Sequence, residues 1–383
     1  MKKFLALILA LVMSLSLVAC GGSKEEAKPA EQPAEQPAEE QGADFSVAMI
    51  TDYGDITDQS FNQTTYEACK AYCEANGVDF NYYKPAGDST AERVAMVEAA
   101  VDDGYTVVVM PGYAFGETIT QVADEYSDIT FIALDVGEGD LGDYTLPSNV
   151  YCAVYQEELC GYMAGYAAVK LGYTHLGFLG GMAVPAVVRY GYGFVQGADA
   201  AATETGADVT MEYVYGNQFW GDADITAYMD NWYQTLGVEV VFACGGGIYA
   251  SAAEAAAKVG GKVIGVDVDQ AAIIDGGYGD GMTVTSAMKG LAPTVEHMLT
   301  EVAAGNFANY GGKIETLGLV SGDDLAANYV QIPMESTQWS DSFSQDDYKA
   351  LVKDMFDGKI TVSNDISAMP ATSIAVNEYG NIK

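Results

Sequence analysis

The chain has 383 residues, is 49% hydrophobic and carries a formal net charge of −37 at pH 7. A surface this acidic repels phosphate backbones and anionic headgroups, which argues against nucleic-acid partners. Only two arginines, Arg93 and Arg189, could clamp a phosphate or carboxylate, and two histidines, His175 and His297, are too few for a multi-histidine metal site.

The chain opens Met-Lys-Lys, followed by an apolar run over 4–18 and then Leu17-Val18-Ala19-Cys20-Gly21. A charged start, an apolar stretch and small residues predict a secretory signal peptide over 1–19. The run is short for a spanning helix, which needs about 20 apolar residues. Cys20 directly after small residues resembles a bacterial lipobox. It is expected to be lipidated, anchoring the chain at the extracytoplasmic face of the cell membrane. An uncleaved anchor helix is the alternative and leaves the rest on the same side. Residues 20–43 repeat Glu-Gln-Pro-Ala and lack aromatics and β-branched residues, so they read as a disordered tether. With Cys20 lipidated, Cys69, Cys73, Cys152, Cys160 and Cys244 remain, without CxxC spacing. They read mostly as buried thiols, and a Cys152–Cys160 bridge stays open.

From residue 44 apolar strand candidates alternate with helical stretches. Strands are predicted at 45–51, 78–84, 105–110 and 129–135, and helices at 58–76, 90–103 and 115–126. Beyond Asn149 the cycle restarts. Helices are predicted at 156–171, 188–203, 222–236 and 249–259, and strands at 176–179, 209–214, 238–243 and 262–266. A strand at 282–287, a helix at 291–304, extended pieces at 316–320 and 329–332, and a helix at 345–356 follow. Such alternation implies right-handed βαβ units and parallel sheets. About 340 residues exceed one ordinary core, so two α/β lobes joined by hinge strands are expected. The lobes are drawn as 44–148 with about 270–320, and 149–269 with about 321–383.

Three apolar runs end in aspartate: Asp52, Asp135 and Asp267. Open α/β sheets bind ligands beyond the carboxyl ends of their strands, so these carboxylates are candidates for one polar cleft. The densest segment is Asp52-Tyr-Gly-Asp-Ile-Thr-Asp58-Gln-Ser60-Phe61-Asn62-Gln63. Asp58 or Ser60 can cap the following helix, and Ser60-x-x-Gln63 has the form of a capping box. Phe61 and Asn62 then fall in its first turn at the cleft mouth. In the bland account Phe61 only staples the helix to the core and the acids only complement its dipole.

The DxGxIxDxSFNQ segment resembles the signature of the basic membrane lipoprotein family, purine-nucleoside receptors of bacterial ABC transporters. Matches follow in order: Phe131-Ile-Ala-Leu-Asp135, Gly177-Phe-Leu-Gly-Gly181, Gly193-Phe194-x-x-Gly197, Ile264-Gly-Val-Asp267-Val-Asp269-Gln270 and Ser286-Ala-Met-Lys289. Each is weak alone; their shared order over most of the chain is the signal. The resemblance implies the type I periplasmic-binding-protein fold, two doubly wound parallel-sheet lobes around a ligand cleft. It also implies residue roles. The base would stack between Phe61 and a second-lobe aromatic, best matched by Trp220, with Phe219 a competitor because the family usually has a single Phe there. Asp52 and Asn62 would bond the ligand near the base edge. Asp135, Asp267 and Lys289 would supply the remaining polar contacts, including those to ribose.

The physical chemistry is consistent with that assignment. Stacking on a base is sequence-tolerant, so selectivity must come from polar groups left unpaired by a wrong ligand. A carboxylate, a pure acceptor, suits a vicinal diol, and Lys289 is the obvious charge to offset three converging acids. The implied function is a lipid-anchored, non-enzymatic, monomeric substrate-binding protein without cofactor. It would close on a nucleoside and deliver it to ABC permease subunits. A sugar or autoinducer receptor of the same fold is the alternative. From a different class, Cys244-Gly-Gly-Gly247-Ile-Tyr-Ala250, about 20 residues before Asp267, resembles a dinucleotide fingerprint and would imply a secreted NAD-binding oxidoreductase. The same glycines more simply let backbone approach a ligand or hinge.

Overall fold

The computed structural model describes residues 45–52 and 54–383, so the expectations for the signal peptide, Cys20 and the tether lie outside the described residues. Thirteen strands are present among them. In chain order these are β1 (Val47–Ile50), β2 (Phe80–Tyr83), β3 (Val107–Pro111), β4 (Thr130–Leu134), β5 (Val150–Tyr155), β6 (His175–Gly180) and β7 (Thr210–Tyr215). They continue with β8 (Val240–Cys244), β9 (Lys262–Asp267), β10 (Thr283–Lys289), β11 (Lys313–Leu317), β12 (Val330–Gln331) and β13 (Ala375–Asn381).

Two sheets result, ordered β11-β5-β4-β3-β1-β2 and β12-β10-β9-β8-β6-β7-β13. All neighbours are parallel except β10 with β12. The first five strands of each lobe therefore share one doubly wound order, with the reversal beside β1 in one sheet and β6 in the other. Most central strands are buried along their whole length, as covering both faces with helices requires.

Two lobe boundaries differ from the sequence expectation. β5, not read as a strand at all, joins the first sheet through β4, so that sheet extends past 148. β10 was drawn with the first lobe but pairs with β9 in the second. Of 270–320, the part from the helix Leu291–Ala303, which packs on Phe61–Asn76, through β11 lies with the first sheet. A run of apolar residues reports burial, not which sheet buries it, and here the chain crosses between lobes more often than one boundary allows.

The crossings lie at Gln156, at Gly290 and between β11 and β12. They are bonded to one another: Gln156 N donates to the Leu317 carbonyl (2.9 Å), Gly290 N to Tyr329 (2.7 Å) and Tyr329 N to Gly318 (3.0 Å). The hinge is thus a small braided ladder.

In the second lobe the helices Glu157–Lys170 and Pro185–Thr205 pack backbone to backbone. A Cβ added to Gly165 would sit 2.1 Å from the Phe194 carbonyl oxygen, and one on Gly197 2.0 Å from that of Tyr162. The Gly193-x3-Gly197 spacing picked out in the sequence therefore serves helix packing. The five described cysteines are free and buried, which leaves no Cys152–Cys160 bridge. Among the described residues no helix is long and apolar enough to cross a membrane.

Gly165→Val should wedge the two helices apart and destabilise the fold by about 1–3 kcal/mol. Thermal denaturation checks this against Gly139→Ala, whose Cβ meets nothing within 4 Å and should not lower the midpoint.

Candidate functional site

Asp58, not Ser60, caps the helix Phe61–Asn76. Its carboxylate accepts the amides of Ser60 (2.9 Å), Asn62 (2.9 Å) and Gln63 (3.1 Å), and the Asn62 Nδ2 (3.2 Å). Burial pushes the Asp58 carboxyl up, although those donors pull the other way. Released from capping, the Ser60 hydroxyl reaches across to the second lobe and donates to Asp267 Oδ2 (2.7 Å). Gln270 Nε2 makes a second bridge to the Gln59 carbonyl (3.1 Å).

Asp135 and Asp267 follow or end the fourth strand of their sheets, and both have left-handed backbones, with φ of 61° and 65°. Aspartate tolerates that region better than most residues, but holding it still costs free energy and is characteristic of functional positions. The bend turns each carboxylate off its strand toward the cleft. Asp52 lies two residues past β1, beside Gly112 after β3. A Cβ on Gly112 would lie 3.0 Å from Asp52 Oδ2, so glycine makes room for the carboxylate.

At the hinge the charges converge. Lys289 Nζ lies 2.6 Å from Asp135 Oδ2, 3.5 Å from Glu157 Oε1 and 3.7 Å from Asp267 Oδ1. It also stands 4.7 Å from the Phe61 ring centre and 5.4 Å from that of Tyr155. Burial opposes its charge, but the Asp135, Asp267 and Glu157 carboxylates together hold its pKa above the ordinary lysine range. Arg189 Nε donates to Glu157 Oε2 (2.6 Å) and Tyr190 OH to Asp267 Oδ1 (3.1 Å). Burial pushes Asp135 up to about 6, with Lys289 opposing and Glu157 and Asp267 adding to the rise. Glu158, behind the cluster, is driven by burial to about 7.

Of these groups Asp135, Tyr190, Asp267 and Lys289 border a cavity of about 440 Å³ between the lobes, within the range of small-molecule sites. Asp52, Phe61, Asn62, Asp135, Trp220, Asp267 and Lys289 all line it, and so does Phe219. Two buried acceptors on its wall, Asp135 Oδ1 and Asn62 Oδ1, have no hydrogen-bond partner within the protein. The aromatic competitors differ in setting. Phe219 is wedged against backbone, since a Cβ on Gly181 would lie 2.4 Å from its ring, whereas Trp220 is 54% exposed. Gly245, Gly246 and Gly247 line the same cavity, and a Cβ on Gly245 would meet the Gly181 backbone at 3.0 Å. Close packing accounts for that glycine.

Sequence reasoning missed Glu157, Arg189, Tyr190 and Gln270. Glu157 and Arg189 sit in helices whose buried residues are mostly apolar, and charges placed among them, Glu157 beside Glu158 in one helix and Arg189 in the other, were the signal available.

Residues 45–354 match the family described as Bmp, ABC transporter substrate-binding protein PnrA-like. The chain is 25% identical over 336 residues to the "ABC transporter nucleoside-binding protein BmpA" of Lactococcus lactis, covering 83% of this chain and 89% of that protein. It is 29% identical over 333 residues to the "CD4+ T-cell-stimulating antigen" of Listeria monocytogenes, covering 82% and 87%. A solute-binding protein of an ABC transporter system from Aeropyrum pernix superposes with a TM-score of 0.63 at 22% identity, over 84% of this chain and 88% of that one, a likeness of fold.

Glu158 and Asp135 bind their protons more tightly in the folded state, so their contribution favours folding at low pH. It is lost as pH rises from about 4 through about 7. Urea midpoints at pH 5 and 7.5 should show Glu158→Gln removing on the order of 2–3 kcal/mol of that loss. An unchanged pH dependence would mean that the carboxyl ionises without cost.

Proposed function

This chain belongs to the Bmp family of PnrA-like ABC transporter substrate-binding proteins, and from that membership we propose that it captures a purine nucleoside in the cleft and delivers it to an ABC permease. The protein works as a non-enzymatic receptor, tethered through lipidated Cys20 on the extracytoplasmic side. One observation carries the ligand class. An unpartnered buried acceptor, Asp135 Oδ1, faces a cavity that also presents the Phe61 and Trp220 rings.

The chemistry favours a neutral, hydroxyl-bearing ligand with a flat ring. Carboxylates accept the protons of a vicinal diol, and Asn62 offers an amide to a base edge. The rings supply stacking of roughly 1–3 kcal/mol per base. Phosphorylated ligands fit poorly. Among the described residues lining the cavity Lys289 is the one lysine or arginine, and three carboxylates already hold it, so it is poorly placed to take a phosphate. Desolvated acceptors without a substrate hydroxyl are costly, and this penalty rejects analogues that lack the diol.

Calorimetry with inosine, adenosine and guanosine tests the reading. At least one should bind, and Phe61→Ala and Trp220→Ala should each weaken it by about 1–3 kcal/mol. Lys289→Met should abolish binding and destabilise the protein by about 3–5 kcal/mol, because it strands buried carboxylates. Binding of free pentose or hexose with no response to any nucleoside would transfer the protein to the sugar-receptor reading.

A further inference from the structure

Trp220 sits on a loop, 217–222, in which Phe219 packs against Gly181 and Gln218 is buried while Trp220 itself is 54% exposed. The loop's backbone is tied down at both ends, where Asn217 N donates to the Gly181 carbonyl (3.0 Å) and Ser251 Oγ donates to the Asp222 carbonyl (3.0 Å), while Trp220 itself makes an isolated bridge to Gly247. Within the loop Gln218 Nε2 donates to the Trp220 carbonyl and to Asp222 Oδ2, both at 2.9 Å. Asp222 Oδ1 in turn caps the helix Ala223–Asn231 by accepting the amides of Asp224 and Ile225, both at 3.0 Å. Gln218 and Asp222 are thus the side chains that fix the loop at Trp220 itself.

Both are held from outside the loop by Lys383. Its Nζ donates to Asp222 Oδ2 and to Gln218 Oε1 (3.4 Å), and lies 3.7 Å from Asp224 Oδ2. The hydrogen bond from Lys383 is the leading reason that the Asp222 carboxyl is held down at about 2. Lys383 is delivered by β13, a segment beyond the family match at 45–354. β13 runs parallel to β7, pairing Ala375 with Thr210 and Asn381 with Tyr215, and Ile382 N donates to the Tyr215 carbonyl (2.8 Å).

The strand is anchored along its length. Buried Glu212 accepts from Tyr379 OH (2.6 Å) and Asn377 Nδ2 (3.2 Å) and lies 2.9 Å from His175 Nε2. Before the strand, Asp199 accepts the amides of Ser373 (2.7 Å) and Ile374 (3.1 Å). A half-exposed tryptophan stacks usefully only if its backbone is already placed, because ordering it on binding would consume affinity.

We propose that β13 and Lys383 form a clasp that holds the 217–222 loop, and with it Trp220, in its ligand-facing position, making Lys383 a positioning residue for the cleft. This rests on the receptor reading only in that Trp220 meets the ligand; the ordering of the loop does not depend on it.

Hydrogen–deuterium exchange of the ligand-free protein, followed over 216–224, and calorimetry with inosine test it. Lys383→Met should speed exchange in that segment alone and weaken inosine binding about fivefold. Lys383→Arg should restore both. In the Lys383→Met, Trp220→Ala double variant the two losses should not add, since both act through one ring. Unchanged exchange at 216–224 overturns the proposal, as does a loosened loop with unaltered affinity, or full additivity with Trp220→Ala. If the parent protein binds no nucleoside, the receptor reading fails while the exchange measurement alone decides the clasp.

Discussion

A single ammonium joins the buried acids of the two lobes. Lys289 leaves the end of β10 in the second lobe and contacts Asp135 of the first, together with Asp267 and Glu157. Removing carboxylates from water is unfavourable by several kcal/mol per ion unless opposite charge and hydrogen bonds replace the solvent. No other cation among the described residues lies so close to Asp135, so the first lobe's acid depends on the second lobe's lysine. Separating the lobes breaks that pair and re-exposes both charges. On the proposed receptor reading, closure is thereby tied to electrostatics as well as to the ligand.

The same arrangement explains why the cleft can be acidic and still bind. The cluster is not neutral, since Arg189 and Lys289 face Asp135, Glu157, Asp267 and Glu158. Two of those acids are pushed toward neutral pH by burial. A neutral polyol relieves unsatisfied acceptors without adding charge, whereas an anion would add repulsion to an unfavourable sum. On the proposed reading, selectivity by charge and by hydroxyl pattern would come from one set of atoms.

The α/β alternation, the strand-tip aspartates and the first-turn Phe61 and Asn62 were legible because they rest on local rules: burial period, strand ends and helix starts. The missed features are those that need the other lobe to be visible. β5, VYCAVY, is an apolar run with no partner in the sequence to say which sheet it completes. β13 is polar and exposed along most of its length, an edge strand defined by pairing with β7 rather than by its own pattern. Ser60 looked like a cap because Ser-x-x-Gln is a capping pattern. Only the position of Asp267, 207 residues away in sequence, redirects its hydroxyl across the cleft.

The two lobes repeat one device and then break it. In each, the fourth strand leads to an aspartate with φ near the left-handed minimum, Asp135 or Asp267. In each, the fifth strand runs into a crossing residue of the same backbone shape, Gln156 at φ −85°, ψ 63° and Gly290 at φ −79°, ψ 58°. The fifth strands end differently: Lys289 in the second lobe, Tyr155 in the first. Two lysines would place like charges together at the hinge, and two tyrosines would leave the paired aspartates without a counter-ion. With one of each, the Tyr155 ring lies 5.4 Å from the ammonium and its hydroxyl donates to Thr294 (2.9 Å), so the cation is flanked by a π face instead of a rival charge. The pseudo-symmetric fold thus builds an asymmetric site by a change of side chain at one equivalent position, and one of the strands leading into the crossings carries the charge that offsets the acids of both lobes.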